Sequence, residues 1–135
     1  MPSIEPTADQ FAAFLKAAPN GQAIVMINLL RYREQAEYPQ GFEATPCSGR
    51  EAYRRYSEKA LQHLATVGGK PIWMGSVKAL VIGPQDESWD DAILVQYPSK
   101  EAFVEMVSRP DYLRDAVHRT AALADSRLIC TVAGM

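Results

Sequence analysis

The sequence predicts an α+β fold, and three observations predict it. Apolar runs at 22–31, 71–82, 92–97 and 128–132 read as strands. Capped segments with apolar residues at helical spacing separate them. The resulting order is one helix followed by β-α-β-β-α-β. That core order is the ferredoxin-like split arrangement, here with an extra N-terminal helix. It implies a four-stranded antiparallel sheet with helices on one face. By length the 135 residues make a single domain, with the extra helix at about 7–18 and the core at about 22–132.

Each element has its own signal. Thr7-Ala8-Asp9-Gln10 is a capping box, and Phe11, Phe14, Leu15 and Ala18 follow on one face. Pro19-Asn20-Gly21 stops that helix. The strand at 22–31 is apolar on both alternating faces except at Asn28. Residues 32–47 carry charges, Pro39, Gly41 and Pro46 without a period, and read as a long loop of the functional kind. Ser48-Gly49-Arg50-Glu51 is a second capping box. The helix it opens buries Tyr53, Tyr56, Ala60, Leu64 and Val67 and ends at Gly68-Gly69.

Gly83-Pro84 closes the strand at 71–82, and a short acidic connection makes it the antiparallel neighbour of 92–97. Ser99 caps a helix burying Ala102, Phe103, Met106 and Val107. Arg109-Pro110-Asp111 breaks it, with Asp111 as the cap of a restart that buries Leu113, Ala116, Val117, Thr120 and Ala124. The strand at 128–132 ends the fold. Strands apolar on both sides need a second covering layer that one copy does not supply. Two sheets packed face to face in a homodimer, a dimeric α+β barrel, would supply it.

Composition narrows the function. With 47% hydrophobic and 22% charged residues, the chain has ordinary globular usage. A net charge of −2 gives no electrostatic reason for a nucleic-acid or anionic-membrane partner. The start is acidic and lacks a signal-peptide pattern. The longest apolar run, 23–30, is far short of the roughly 20 residues that span a bilayer. Cys47 and Cys130 form no motif, so a reduced, cytoplasmic setting is expected. Two unpaired histidines, with no CxxC and no nucleotide-binding glycine pattern, give no metal or cofactor site, and none is expected. The expected partners are a second copy of the chain and a small organic ligand.

The order of several short features is similar to that of the domain of unknown function 1330 family, in the dimeric α+β barrel superfamily. They are Gly68-Gly69, Gly83, Trp89-Asp90, Tyr97-Pro98-Ser99, Ala102-Phe103, Pro110-Asp111-Tyr112, and Arg119-Thr120-Ala121-Ala122 running to Asp125-Ser126-Arg127-Leu128. The resemblance spans about 22–132 and implies the fold and the dimer. It implies no established activity. Related barrel families include cofactor-independent quinone-forming monooxygenases, muconolactone isomerases and haem-dependent chlorite dismutases. No haem-binding histidine context is present here. The N-terminal helix and the 32–47 loop are departures that would cover or reshape a pocket.

The candidate site residues each have a structural alternative. Asn28, mid-strand among apolar neighbours, is either a donor to a substrate carbonyl or oxyanion, or a tie to a loop or the second copy. Tyr53 and Tyr56 lie on a buried stripe and either orient a ligand or pack the core. His118, with Arg114 and Asp115 one turn away, is the candidate base; a position off the apolar stripe argues for the surface instead. Arg31 and Tyr32 end the first strand and would hold an anionic or phenolic group, or pair with local acids. Arg127 would bind a carboxylate, or clamp a turn with Asp125. Trp73 is the aromatic candidate for a pocket wall, with Trp89 as a pocket or interface filler. These residues suggest two functions. One is a cofactor-independent monooxygenase or isomerase acting on a small aromatic or anionic compound. The other is a non-catalytic binding or structural homodimer.

Overall fold

The computed structural model describes residues 2–134. Its elements are α1 (Ala8–Ala17), β1 (Ile24–Tyr32), α2 (Gly49–Thr66), β2 (Lys70–Ser76), β3 (Asp91–Tyr97), α3 (Lys100–Ser108), α4 (Pro110–Ala122) and β4 (Leu123–Thr131). The sheet order is β2-β3-β1-β4 and every neighbouring pair is antiparallel. This is the α+β, ferredoxin-like topology that the element order predicts.

Strand alternation assigns the faces. On β1, Ile24, Met26 and Leu30 are buried under the helices. Their neighbours Val25, Ile27, Leu29 and Arg31 therefore face the other way. The core under the helices has two parts. One gathers Ile24, Met26, Leu64, Tyr97, Met106 and Tyr112. The other gathers Leu30, Ala52, Tyr53, Ala122 and Leu123. Ile24, Leu30 and Leu123 are the largest fully buried side chains, and each such burial is worth roughly 2 kcal/mol.

The caps follow the sequence in part. Thr7 and Gln10 form the full capping box. Ser99 accepts from Ala102 N. Ser48 accepts from Glu51 N, but the expected box is half formed, because the Glu51 carboxylate accepts from Arg54 instead of reaching back. Gly68 takes φ 77° past the end of α2, where a side chain would be strained. In contrast, α4 begins with Arg109 as its N-cap and Pro110 in its first turn, rather than with Asp111 as cap. Pro has no N–H to leave unpaired there. The buried stripe of α4 is also one residue out of the expected phase. Tyr112, Asp115, Ala121 and Ala122 are buried, while Leu113 is 55% exposed and Thr120 is exposed.

Two strands have other lengths than expected. β2 stops at Ser76 because its partner β3 begins there, Ser76 facing Asp91. Residues 77–90 have no further β3 residues to pair with, and Val81 and Ile82 are 89% and 91% exposed. β4 starts at Leu123 instead of Leu128. The polar run that reads as a turn is strand because β1 pairs with it, Arg31 opposite Asp125 and Tyr32 opposite Leu123.

The 32–47 loop is fastened to the helical layer. Arg33 N and Glu37 N donate to the carbonyls of Ala122 and Ala121 at the end of α4. Gly49 N donates to Arg33 O. At Gly49 a Cβ would stand 2.2 Å from Arg33 O and 2.6 Å from Ala122 O, so only glycine fits. Tyr38 stacks on Phe42, and its hydroxyl meets His118 Nδ1 at 2.6 Å and Arg55 Nη1 at 3.3 Å. His118 thus holds the loop on the outer side of α2 and α4. Burial and the Arg55 cation push its pKa below the ordinary 6.5.

Two outcomes follow for this junction. Gly49→Ala is expected to destabilise the protein by about 2–4 kcal/mol in urea titration. A variant as stable as the wild type would contradict the close approach. Because the folded-state pKa of His118 is lowered, its stabilising effect is complete above pH 6.5 and is lost as pH falls through the lowered value. Histidine NMR titration with amide exchange should show residues 33–47 loosening with that protonation. Loop exchange independent of the His118 titration would disprove it.

Candidate functional site in the gap between sheet and helices

A cavity of about 980 Å³ lies between the sheet and the helical layer. Members of both core clusters line it, and Tyr56 packs against each. Asn28 occupies β1 between Met26 of one cluster and Leu30 of the other. The strand's alternation turns its side chain toward the helices, level with Ile93 on β3 and Leu128 on β4. Its Nδ2 donates to Ile93 O at 3.3 Å and Met26 O at 3.5 Å. The reverse orientation would set the amide oxygen against two carbonyl oxygens. The group left for the cavity is therefore Oδ1, an acceptor, rather than the donor the sequence suggests.

From α2, Tyr53 and Tyr56 reach the same cavity. Their spacing of three residues puts both on one face, with ring centroids 5.3 Å apart. Tyr56 OH is paired with Tyr112 OH of α4 at 2.7 Å. The Tyr53 hydroxyl has no hydrogen-bond partner among the described residues. Burial raises the Tyr53 pKa to about 12, and burial likewise raises that of Tyr56 well above its ordinary value. Both are neutral phenols at physiological pH, able to donate a hydrogen bond but not to act as ready bases.

Arg119 is the cavity residue that sequence reasoning missed. It follows Tyr112 by seven residues, so α4 presents both on one face. The signal was present, but choosing Leu113 instead of Tyr112 for the stripe turned Arg119 outward. Its Nη1 donates to Ile4 O at 2.6 Å and its Nη2 to Ser126 Oγ at 3.5 Å.

The N-terminal segment forms another wall, with Ile4, Glu5, Pro6, Gln10, Phe11 and Phe14. It is tied at both ends. Ser3 N donates to Asp125 Oδ1 at 2.8 Å, and Ser126 Oγ donates to Ser3 O at 2.5 Å. At the other end the buried Lys100 Nζ donates to Leu15 O at 2.5 Å and Ala18 O at 2.6 Å. A cation on the last carbonyls of α1 also suits the helix dipole. The extra N-terminal helix therefore covers the cavity, whereas the 32–47 loop does not line it.

The other sequence candidates are placed elsewhere or already engaged. Arg127 borders the cavity, but its Nη1 donates to Asp125 Oδ1 at 3.0 Å and to Ser126 O at 2.8 Å, and its guanidinium lies 5.0 Å from the Trp89 ring centre. Burial raises the Asp125 carboxyl pKa, but donors from Ser3, Ser126 and Arg127 outweigh that and hold it below the ordinary range. Arg31 stands on the sheet's open face by alternation. Trp73, paired with Leu94, is there too and 62% exposed. The Tyr32 hydroxyl donates to Asp91 Oδ2 at 2.6 Å, and Arg50 covers its ring at 4.7 Å. His118 is on the outer side with Tyr38. Asn28, Tyr53, Tyr56 and Arg127 line one cavity; Arg31, Tyr32, Trp73 and His118 do not. No group of three or more His, Cys, Asp or Glu able to hold a metal occurs among the described residues.

Comparison with known proteins agrees with this architecture. No curated protein matches the chain. Two crystal structures of the RPA0582 protein are similar at TM-score 0.89. One, of the methylated protein, has 40% identity over 99% of this chain and 96% of that chain. The other, described as a protein of unknown function from Rhodopseudomonas palustris, has 39% identity over 100% and 99%. At the level of fold alone, SnoaB, a cofactor-independent oxygenase from Streptomyces nogalater, matches at TM-score 0.54 and 12% identity, over 84% and 95% of the two chains. A dabb family protein with a ferredoxin-like fold from Mesorhizobium loti matches at 0.53 and 10% identity, over 84% and 98%. The family model for the domain of unknown function DUF1330 covers residues 45–134, and the chain belongs to that family.

Proposed function

We propose that the protein is a homodimer that binds a small, hydroxylated and largely apolar organic molecule in the cavity of each copy. The observation that carries this reading is that Asn28 Oδ1 and the Tyr53 hydroxyl, neither with a hydrogen-bond partner among the described residues, line the same mainly apolar cavity. Met26, Ile93, Val95, Phe103 and Met106 supply the apolar walls. A ligand hydroxyl would donate to Asn28, while Tyr53 would donate to a second ligand oxygen. The reaction class that suits these groups is cofactor-independent oxygenation or isomerisation of the ligand's enol or phenol form. SnoaB, of similar fold, is a cofactor-independent oxygenase, and that likeness supports the class only as analogy.

A second reading has its own support. The described cavity lining contains no histidine or aspartate. Burial also raises the pKa of the Cys130 thiol, and the tyrosines stay neutral. A lining whose one carboxylate, Glu5, already accepts from Thr120 Oγ1 suits a protein that holds its ligand without transforming it.

The dimer rests on the open face of the sheet. Val25, Ile27, Leu29, Leu94, Trp73 and Ile129 make it apolar by alternation, and Trp73 and Ile129 are 62% and 47% exposed. An apolar sheet face of this kind calls for a partner layer.

Two measurements test these statements. In calorimetric titration with 1-naphthol, Asn28→Ala is expected to bind about tenfold more weakly than wild type, through loss of one hydrogen bond to a buried acceptor. Equal affinities would remove Asn28 from the site. Native mass spectrometry should give a dimer for the wild type and a monomer for Leu94→Glu, which sets a charge into the proposed sheet-to-sheet contact. A monomeric wild type would overturn the face-to-face pair.

A further inference from the structure

Among the described residues, Arg119 is the cation of this cavity without a carboxylate partner. Arg127, the other arginine at the lining, is neutralised by Asp125 and lies 3.6 Å from Glu87. Glu5, the one acid among the described lining residues, accepts from Thr120 Oγ1 at 3.2 Å. Among the described residues Arg119 donates to two neutral oxygens, Ile4 O and Ser126 Oγ. A guanidinium has more N–H donors than these two bonds use. A partly buried charge faced only by neutral groups is poorly compensated, and a ligand anion would compensate it. The positions of Arg119's neighbours agree. Its charge acts on the phenols of Tyr53, Tyr56 and Tyr97, opposing the effect of burial on each.

Resting on the cavity reading above, we infer that the ligand is an apolar acid. Its anionic group, a carboxylate or an ionised enol or phenol, pairs with Arg119, and its apolar body fills the gap beside Asn28 and Tyr53. Arg119 would then be a binding residue, and it also connects the ligand to the N-terminal wall. The Ile4 carbonyl now takes the donor that an anion would share. Anion binding would therefore loosen or re-seat residues 3–6 against α4.

The test uses two fluorescent probes of nearly the same body. 1-Anilinonaphthalene-8-sulfonate carries an anion, and N-phenyl-1-naphthylamine does not. Wild-type protein is expected to bind both, with about a tenfold preference for the sulfonate, the size of one charge-assisted hydrogen bond. Arg119→Gln should abolish the preference, bringing the ratio of the two affinities to about one, and Arg119→Lys should keep part of it. Ala116→Phe, which sets a phenyl ring into the cavity, should weaken both probes and so separate cavity binding from adhesion to the open face. Equal affinity for both probes in wild type, or a preference that survives Arg119→Gln, would overturn the assignment of Arg119 and leave the cavity reading intact. Failure of both probes to bind, or binding unchanged by Ala116→Phe, would overturn the cavity reading and this inference with it.

Discussion

A polar residue at the centre of β1 divides the core, and the rest of the molecule is arranged around that division. Met26 and Leu30 are each buried in their own cluster. Asn28 between them has its amide hydrogens satisfied by strand carbonyls of Ile93 and Met26. Its remaining oxygen cannot be packed under a leucine without losing hydration that nothing replaces. The cavity lies beside this oxygen, lined by members of both clusters, with Tyr56 packed against each. The helical layer stays intact above the opening because α2 and α4 hold each other directly. Tyr56 meets Tyr112, and His63 Nε2 meets Asp115 Oδ2 at 2.8 Å. With those two polar pairs between the helices, the layer does not need the sheet's middle strands beneath it.

The N-terminal segment forms one wall of this gap. α1 has no buried residue within its span and would be marginal as an isolated helix. It is held because its ends have specific partners, Asp125, Ser126 and Arg119 at one end and Lys100 at the other. Burying Lys100 is tolerable because its ammonium replaces water with carbonyl oxygens at a helix C-terminus. The wall is thus anchored by polar contacts at its ends and rests on half-buried phenylalanines between them. Such a segment can shift without unfolding the core beneath it.

How much of this could be read in the sequence depends on the range of the forces involved. Helix starts were legible because Thr7, Ser48 and Ser99 act within one turn. The topology was legible because element order leaves few alternatives. Asn28, Tyr53 and Tyr56 were legible as polar groups at apolar positions. The phase of α4 was not. Leu113 and Tyr112 are equally plausible stripe members, and only the hydroxyl partner on Tyr56 decides for Tyr112. Arg119 was lost with that phase. The start of β4 was hidden because Asp125 and Ser126 read as a turn until Ser3, more than a hundred residues away in sequence, supplies their partners. The end of β2 was hidden because apolar residues continue past it into an exposed loop. Trp73 failed as a pocket wall for a smaller reason. The irregularity between Pro71 and Trp73 sets the faces of β2, and a one-residue shift changes which side a residue takes.

That same irregularity has a consequence for how the molecule can assemble. β2 is an outer strand of the sheet. Pro71 brings no N–H to its free side, the register slip kinks its backbone, and Lys70 places a charge at its start. Each feature opposes the docking of another strand alongside it. Growth along the hydrogen-bonding direction is blunted at this margin, while the apolar attraction acts perpendicular to it. The proposed pairing across the sheet's face would close on itself, because a two-fold contact uses the same patch on both copies.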